Sequence, residues 1–125
     1  MGIVRKYVRI ELICLITDKS KNYYDLGYNN ILVDDYGIIP FAIFQEEDFS
    51  LDKRLRLLYN EYISIDFDWT TKYLADVYLS ENHVSVRYII KMPKIENAIL
   101  KGKLVTTYDF LQMTGDESYD RIISG

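Results

Sequence analysis

Between Tyr7 and Thr17 the chain is rich in Val, Ile and Leu, and its apolar and polar positions alternate only imperfectly. Such a run predicts a strand buried on both faces rather than one. The polar stretch Asp18-Lys19-Ser20-Lys21-Asn22 ends it as a turn. Tyr23 and Tyr24 open a short strand that Gly27 and Asn29-Asn30 close, and Ile31-Leu32-Val33 forms another. Asp34-Asp35-Tyr36-Gly37 reads as a turn, and Ile38 to Phe44 as extended chain that Pro40 confines to an edge or a bulge. From Leu51 the period changes. Leu51, Leu55, Leu58 and Tyr62 fall at i, i+4, i+7 and i+11, the spacing of one buried helix face. Ser50 or Asp48 can cap that helix, and Asp52 suits its first turn.

Alternation then returns. Ile63-Ser64-Ile65-Asp66-Phe67 has the period of a strand. Tyr73 to Leu79 and Val84 to Met92 predict an antiparallel hairpin across Ser80-Glu81-Asn82-His83. Thr106 or Thr107 caps a short helix reaching Met113, and Asp116 to Ile123 forms a second. Strands around one helix, then a hairpin, then terminal helices, predict an α+β fold with a mixed sheet. At 125 residues, without repeats or linkers, the chain 1–125 reads as a single domain.

Charge and residue counts narrow the chemistry. A net charge of -4 argues against broad nucleic-acid binding, which needs many cations to displace counterions. Cys14 is the only cysteine, so neither an intrachain disulfide nor a cysteine metal site is available. Its apolar surroundings predict a buried, inert thiol. His83 is the only histidine, which removes His-pair zinc sites. It falls at the hairpin tip, where exposure is expected. No apolar run approaches the ~20 residues that span a membrane, and no targeting segment stands out, so a cytoplasmic location is expected. Twelve tyrosines suit packing, base stacking or a protein interface. The low count of three Ala, beside abundant Ile, Tyr, Asn, Lys and Asp, fits an AT-rich genome such as that of a phage or low-GC bacterium.

The loop with Gly37 and Pro40, the acidic Glu46-Glu47-Asp48 and the following helix carry a family likeness. The segment Ala42 to Ser64 resembles a degenerate Nudix box, whose pattern is G-x5-E-x7-R-E-U-x-E-E-x-G-U with U aliphatic. With Arg56 at the arginine, Ala42 takes the leading glycine and Asp48 the first acid. Leu57 stands at the glutamate after the arginine, Leu58 at the aliphatic position, and Asn60 and Glu61 at the glutamate pair. Ile63 and Ser64 take the last two places, and Pro40-Phe41-Ala42 resembles the proline-glycine-glycine that often opens the box. The likeness extends over roughly residues 5 to 113 and implies a Nudix-like α/β/α sandwich with a mixed β-sheet.

The family's chemistry is metal-assisted diphosphate hydrolysis, in which helix carboxylates hold Mg²⁺ or Mn²⁺. Leucine cannot ligate, and asparagine offers only a neutral carbonyl. No cofactor is therefore expected, with Mg²⁺ or Mn²⁺ needed only if the chain is active. In that case Glu61 and Asp48 would be catalytic, and Glu61 with Glu96, or Glu81, would hold the metal. Arg56, Arg87 and Asn60 are the candidate ligand-binding residues. Each also has an ordinary reading: Glu61 as a surface carboxylate, Asp48 as a helix-start residue, Arg56 as a side-chain partner of Asp52, Asn60 or Glu61. Alternation sets Arg87 and Tyr88 on opposite faces of their strand. The expected function is a protein-interaction or homo-oligomerisation module. The alternatives are a nucleotide or small-ligand binding module, or a divergent hydrolase of nucleoside diphosphate-linked compounds.

Overall fold

A computed structural model describes residues 6–16, 30–45, 47–48, 50–92 and 96–124. The strand expected at Tyr23 and Tyr24 lies outside these residues. Strand β1 (Tyr7–Ile16) is the axis of the molecule, and every residue from Ile10 to Ile16 is buried. One edge of β1 pairs in parallel with β5 (His83–Met92) over its full length. The other edge is shared by two short antiparallel strands, β2 (Asn30–Val33) against Leu15 and Ile16, and β3 (Phe41–Phe44) against Val8 to Glu11. Between them the chain turns at Asp34, whose Oδ1 accepts from the Tyr36 and Ile38 amides at 2.8 and 3.0 Å. Gly37 takes φ of 81°, a left-handed conformation that suits glycine. Pro40 stands just before β3, and its carbonyl accepts from the Leu12 amide at 2.9 Å.

Outside β5 lies β4 (Tyr73–Leu79), and outside β2 lies β6 (Lys103–Thr106), giving the order β4-β5-β1-β2-β6 with β3 also on β1. Among the described residues three α-helices complete the α+β fold: α1 (Leu51–Tyr62), α2 (Thr107–Thr114) and α3 (Glu117–Ser124). Alternation along β1 sorts the core into two halves. Ile10, Leu12, Cys14 and Ile16 pack with Leu55, Leu58, Tyr59 and Tyr62 of α1. Ile13 and Leu15 pack with Phe110 of α2 and Tyr119 of α3. No helix among the described residues is long and apolar enough to cross a membrane.

Three sequence expectations need correction. Ile63 to Phe67 is not a strand; it makes one bridge, Ile63 to Ile99. Its alternation serves instead to bury Ile63 and to turn Phe67 onto Tyr59 and Trp69, at ring-centroid distances of 6.0 and 5.1 Å. Strand β6 was not anticipated: four residues are too few for a period to register. It is reached through Gly102, whose φ is 80° and where a Cβ would run into the carbonyl oxygen of Val33. His83 is the first residue of β5 rather than an exposed tip. It is half-buried, stacks on Tyr7 at 5.3 Å, and its Nδ1 lies 2.8 Å from Ser80 Oγ.

Candidate functional site

Helix α1 begins at Ser50, whose Oγ accepts from the Lys53 amide at 3.0 Å. Just before it, Asp48 accepts from the Gln45 amide at 2.8 Å and lies 3.9 Å from Arg54 Nε, so its carboxylate ties down the helix entry. Asp52 pairs with Lys72 at 2.8 Å and with Arg56 at 3.5 Å. The Lys72 hydrogen bond, foremost, holds the Asp52 carboxyl below its usual range. Arg56 also lies 5.5 Å over the Trp69 ring. Leu57, Asn60 and Glu61 are all exposed on the outer side of α1. Burial raises the Tyr62 phenol, and the charges of Asp34, Glu61 and Asp35 raise it further, so Glu61 acts on its neighbour through its field.

Among the described residues no three His, Cys, Asp or Glu side chains converge as metal ligands. Glu81 is exposed in the β4–β5 turn. Glu96 opens a single 3-10 turn, and its side chain lies outside the described residues. The donor set at the box positions, one apolar side chain, one amide and one carboxylate on open helix surface, does not fit a dedicated Mg²⁺ or Mn²⁺ site.

Arg87 is placed quite differently. It is 2% exposed on the face of β5 opposite Tyr88, directly across from Glu11 of β1. Its Nε donates to Glu11 Oε2 at 3.1 Å and its Nη1 to Ser118 Oγ at 2.7 Å. Asp76 and Asp116 each approach the guanidinium to 3.8 Å. Ser118 in turn donates to Asp116 at 2.6 Å, and the Tyr119 hydroxyl donates to Glu11 Oε1. The guanidinium lies between the rings of Tyr119 and Tyr78, at 4.3 and 4.7 Å. Burial alone would lower the Arg87 pKa, but Glu11 and the other anionic neighbours outweigh it and the net shift is upward. Burial pushes the Tyr119 phenol up, and Glu11 adds to the effect. At Asp116 burial acts upward, yet the Ser118 hydrogen bonds and Arg87 bring the carboxyl below its usual range.

Glu11, Ser118, Tyr119 and Asp116 were missed as site residues. The signal in the sequence was a lone acid, Glu11, inside the apolar β1 run, with a base, Arg87, amid the apolar positions of β5. The network they form has its donors and acceptors matched internally, and it clamps α3 to the sheet. Beside it, Tyr119, Phe110, Ile39, Gly37, Tyr36 and Met113 bound an open cleft of about 230 Å³. No protein-family model matches this chain, and no curated protein matches it.

Proposed function

We propose that this chain is a catalytically degenerate Nudix-like domain that works by self-association, with β4 as its docking edge. One observation carries the reading. Leu74, Val77 and Leu79 are 54%, 47% and 66% exposed on a strand at the edge of the sheet. Their partners across β5 are Tyr88, Val86 and Val84, which sets all three on the α1 side. Helix α1 packs chiefly over β1 and β3 and leaves this margin bare among the described residues.

An edge strand offers unpaired backbone N–H and C=O groups to another strand, and proteins blunt it with Lys, Pro, inward-pointing charges or β-bulges. Strand β4 contains neither Lys nor Pro, and its one register shift, between Leu74 and Asp76, leaves Val77 to Leu79 regularly paired. Its one charge, Asp76, turns toward Arg87 on the other face. A second copy is the occupant that fits. Two identical edges paired antiparallel about a two-fold axis form a closed, self-complementary contact, and apolar stripes then lie side by side without opposing charges. The exposed Leu57, Asn60 and Glu61 support the loss of metal chemistry.

Sedimentation velocity over a wide concentration range tests the proposal. The native chain should form a dimer that dissociates on dilution. A Val77→Lys/Leu79→Lys variant should stay monomeric with an unchanged far-UV spectrum. A native chain that remains monomeric at high concentration, or a dimer indifferent to these lysines, overturns the reading. Turnover of dinucleotides or nucleotide sugars with Mg²⁺ or Mn²⁺, lost in Glu61→Gln, would count against the degenerate assignment and favour the hydrolase.

A further inference from the structure

Two buried polar atoms in the described structure have no hydrogen-bond partner, Nε of Arg9 and Oγ of Ser85. They belong to neighbouring residues, because Arg9 and Ser85 are register partners across the parallel β1–β5 pair. Strand period places both on the face that carries Glu11 and Arg87, two positions farther along each strand. The contrast between the two arginines is instructive. Arg87 is gripped by Glu11 and by Ser118. Arg9 is half-buried, its guanidinium lies 3.8 Å over the Phe41 ring, and it forms no ion pair among the described residues. Glu11, the nearest acid along β1, is already engaged by Arg87 and Tyr119. The Arg9 Nε–H is therefore left without an acceptor at this end of the sheet.

Ser85 sharpens the point. It is 1% exposed, and its cross-strand partner on β4 is Tyr78. An unpartnered buried hydroxyl or guanidinium N–H is costly, and a charged donor more so. Around the pair stand aromatic rings that reach solvent: Tyr7, stacked on His83, Phe41 under Arg9, and Tyr78 beside Ser85. A fixed cation, a hydroxyl donor and a rim of aromatic faces together recognise an oxyanion carried on a flat or apolar body.

We propose that Arg9 and Ser85 form a binding site for a small oxyanion, a phosphate or carboxylate group borne by an aromatic ligand. The anion accepts from Arg9 Nε and from Ser85 Oγ, and the ring packs against the Tyr7, Phe41 and Tyr78 rim. The site faces away from Leu74, Val77 and Leu79, so it stands or falls independently of self-association through β4.

The test uses the full chain with four probes: inorganic phosphate, phenyl phosphate, acetate and benzoate. Thermal shift gives binding, and ¹⁵N NMR gives location through the Ser85 amide and the Arg9 Nε–H signals. Phenyl phosphate or benzoate should stabilise the protein more than phosphate or acetate, and which aromatic binds tighter identifies the anion class. Ser85→Ala should leave the anion-free melting temperature unchanged or raised, because it removes an unpartnered hydroxyl, yet weaken the aromatic anion by about tenfold or more. Arg9→Lys should weaken it further. If neither aromatic anion binds, or if binding persists undiminished in Ser85→Ala and Arg9→Lys, the site does not exist. Ser85→Ala is a conservative change, so the test does not depend on the arginine variant folding.

Discussion

The two faces of one sheet are built on different chemistry. On the α1 side the core is hydrocarbon and sulfur: Ile10, Leu12, Cys14, Ile16, Leu55, Leu58 and Met92, with the Tyr59 hydroxyl reaching out to the Ile65 carbonyl at 2.7 Å. Cys14 sits there as a small apolar group, its thiol pushed up to about 12 by burial. On the α3 side the same strands present Glu11 and Arg87, and α3 answers with Ser118 and Tyr119. A dry core answers to volume and gives way gradually. A buried ionic network answers to completeness, because removing one member strands the rest. Helix α1 thus contributes an apolar inner face, while the matched polar chemistry lies on the opposite side of the sheet.

The largest expected effect is at Arg87. Arg87→Met keeps much of the side-chain volume but leaves Glu11 buried without its guanidinium, at a cost of about 3–5 kcal/mol. Leu55→Ala on the dry face removes bulk alone and costs about 2–5 kcal/mol. The faces separate in the double variants. Glu11→Leu/Arg87→Met removes both charges and should recover most of the stability lost by Arg87→Met. Leu55→Ala/Leu58→Ala should lose more than either single change. Urea unfolding measures all four. A double charge removal no more stable than Arg87→Met alone would break the contrast, since the network would then contribute packing rather than pairing.

A smaller effect separates the faces by pH. Tyr59 on the dry face has its phenol pushed up to about 12 by burial, and then by the charges of Cys14 and Asp66. Tyr119 on the polar face is also raised, by burial and then by Glu11. In the unfolded chain both phenols ionise near pH 10. The folded state keeps them neutral, so their contribution is complete below pH 10 and is lost as pH rises through the folded values. Stability should therefore fall in alkali. Tyr59→Phe and Tyr119→Phe should each make that fall shallower. Because the two rings lie on opposite faces with separate partners, their effects should add. Alkaline denaturation curves for the two single variants and the double decide it, and strong non-additivity would mean that the faces are coupled through the sheet.

The sequence made the regular elements readable where a period ran long enough. Ser50 as cap and Leu55, Leu58 and Tyr62 as the inner face of α1 follow from a 3.6-residue repeat, and Thr106 caps α2 through its bond from the Asp109 amide. Tyr59 escaped notice as core because its hydroxyl and its place beside Leu58 read as helix surface, although it is 1% exposed. The alternation of Ile63 to Phe67 misled because period alone does not supply a neighbouring strand. The polar network was hardest to read. Arg87 stood out as a candidate, but its partners Glu11 and Ser118 lie 76 and 31 residues away, and Tyr119 meets Glu11 across 108. No repeat or motif links such positions; topology alone brings them together.

The smallest expected effect is at the residue the motif points to most strongly. Glu61 is exposed near the C-terminal end of α1, where a negative charge opposes the helix dipole. Glu61→Gln should change stability by no more than about 0.5 kcal/mol, in the stabilising direction if at all. Its trace should appear instead at Tyr62, whose phenol is raised partly by Glu61, so the variant should ionise that tyrosine at lower pH in a spectrophotometric titration. Added Mg²⁺ should shift the melting temperature of the native chain and of Glu61→Gln equally, because an isolated carboxylate on open surface holds the ion too weakly to discriminate. A magnesium-dependent shift that disappears with Glu61 would move the site onto the outer side of α1, and the polar network beneath α3 would then be scaffold for chemistry on the other face.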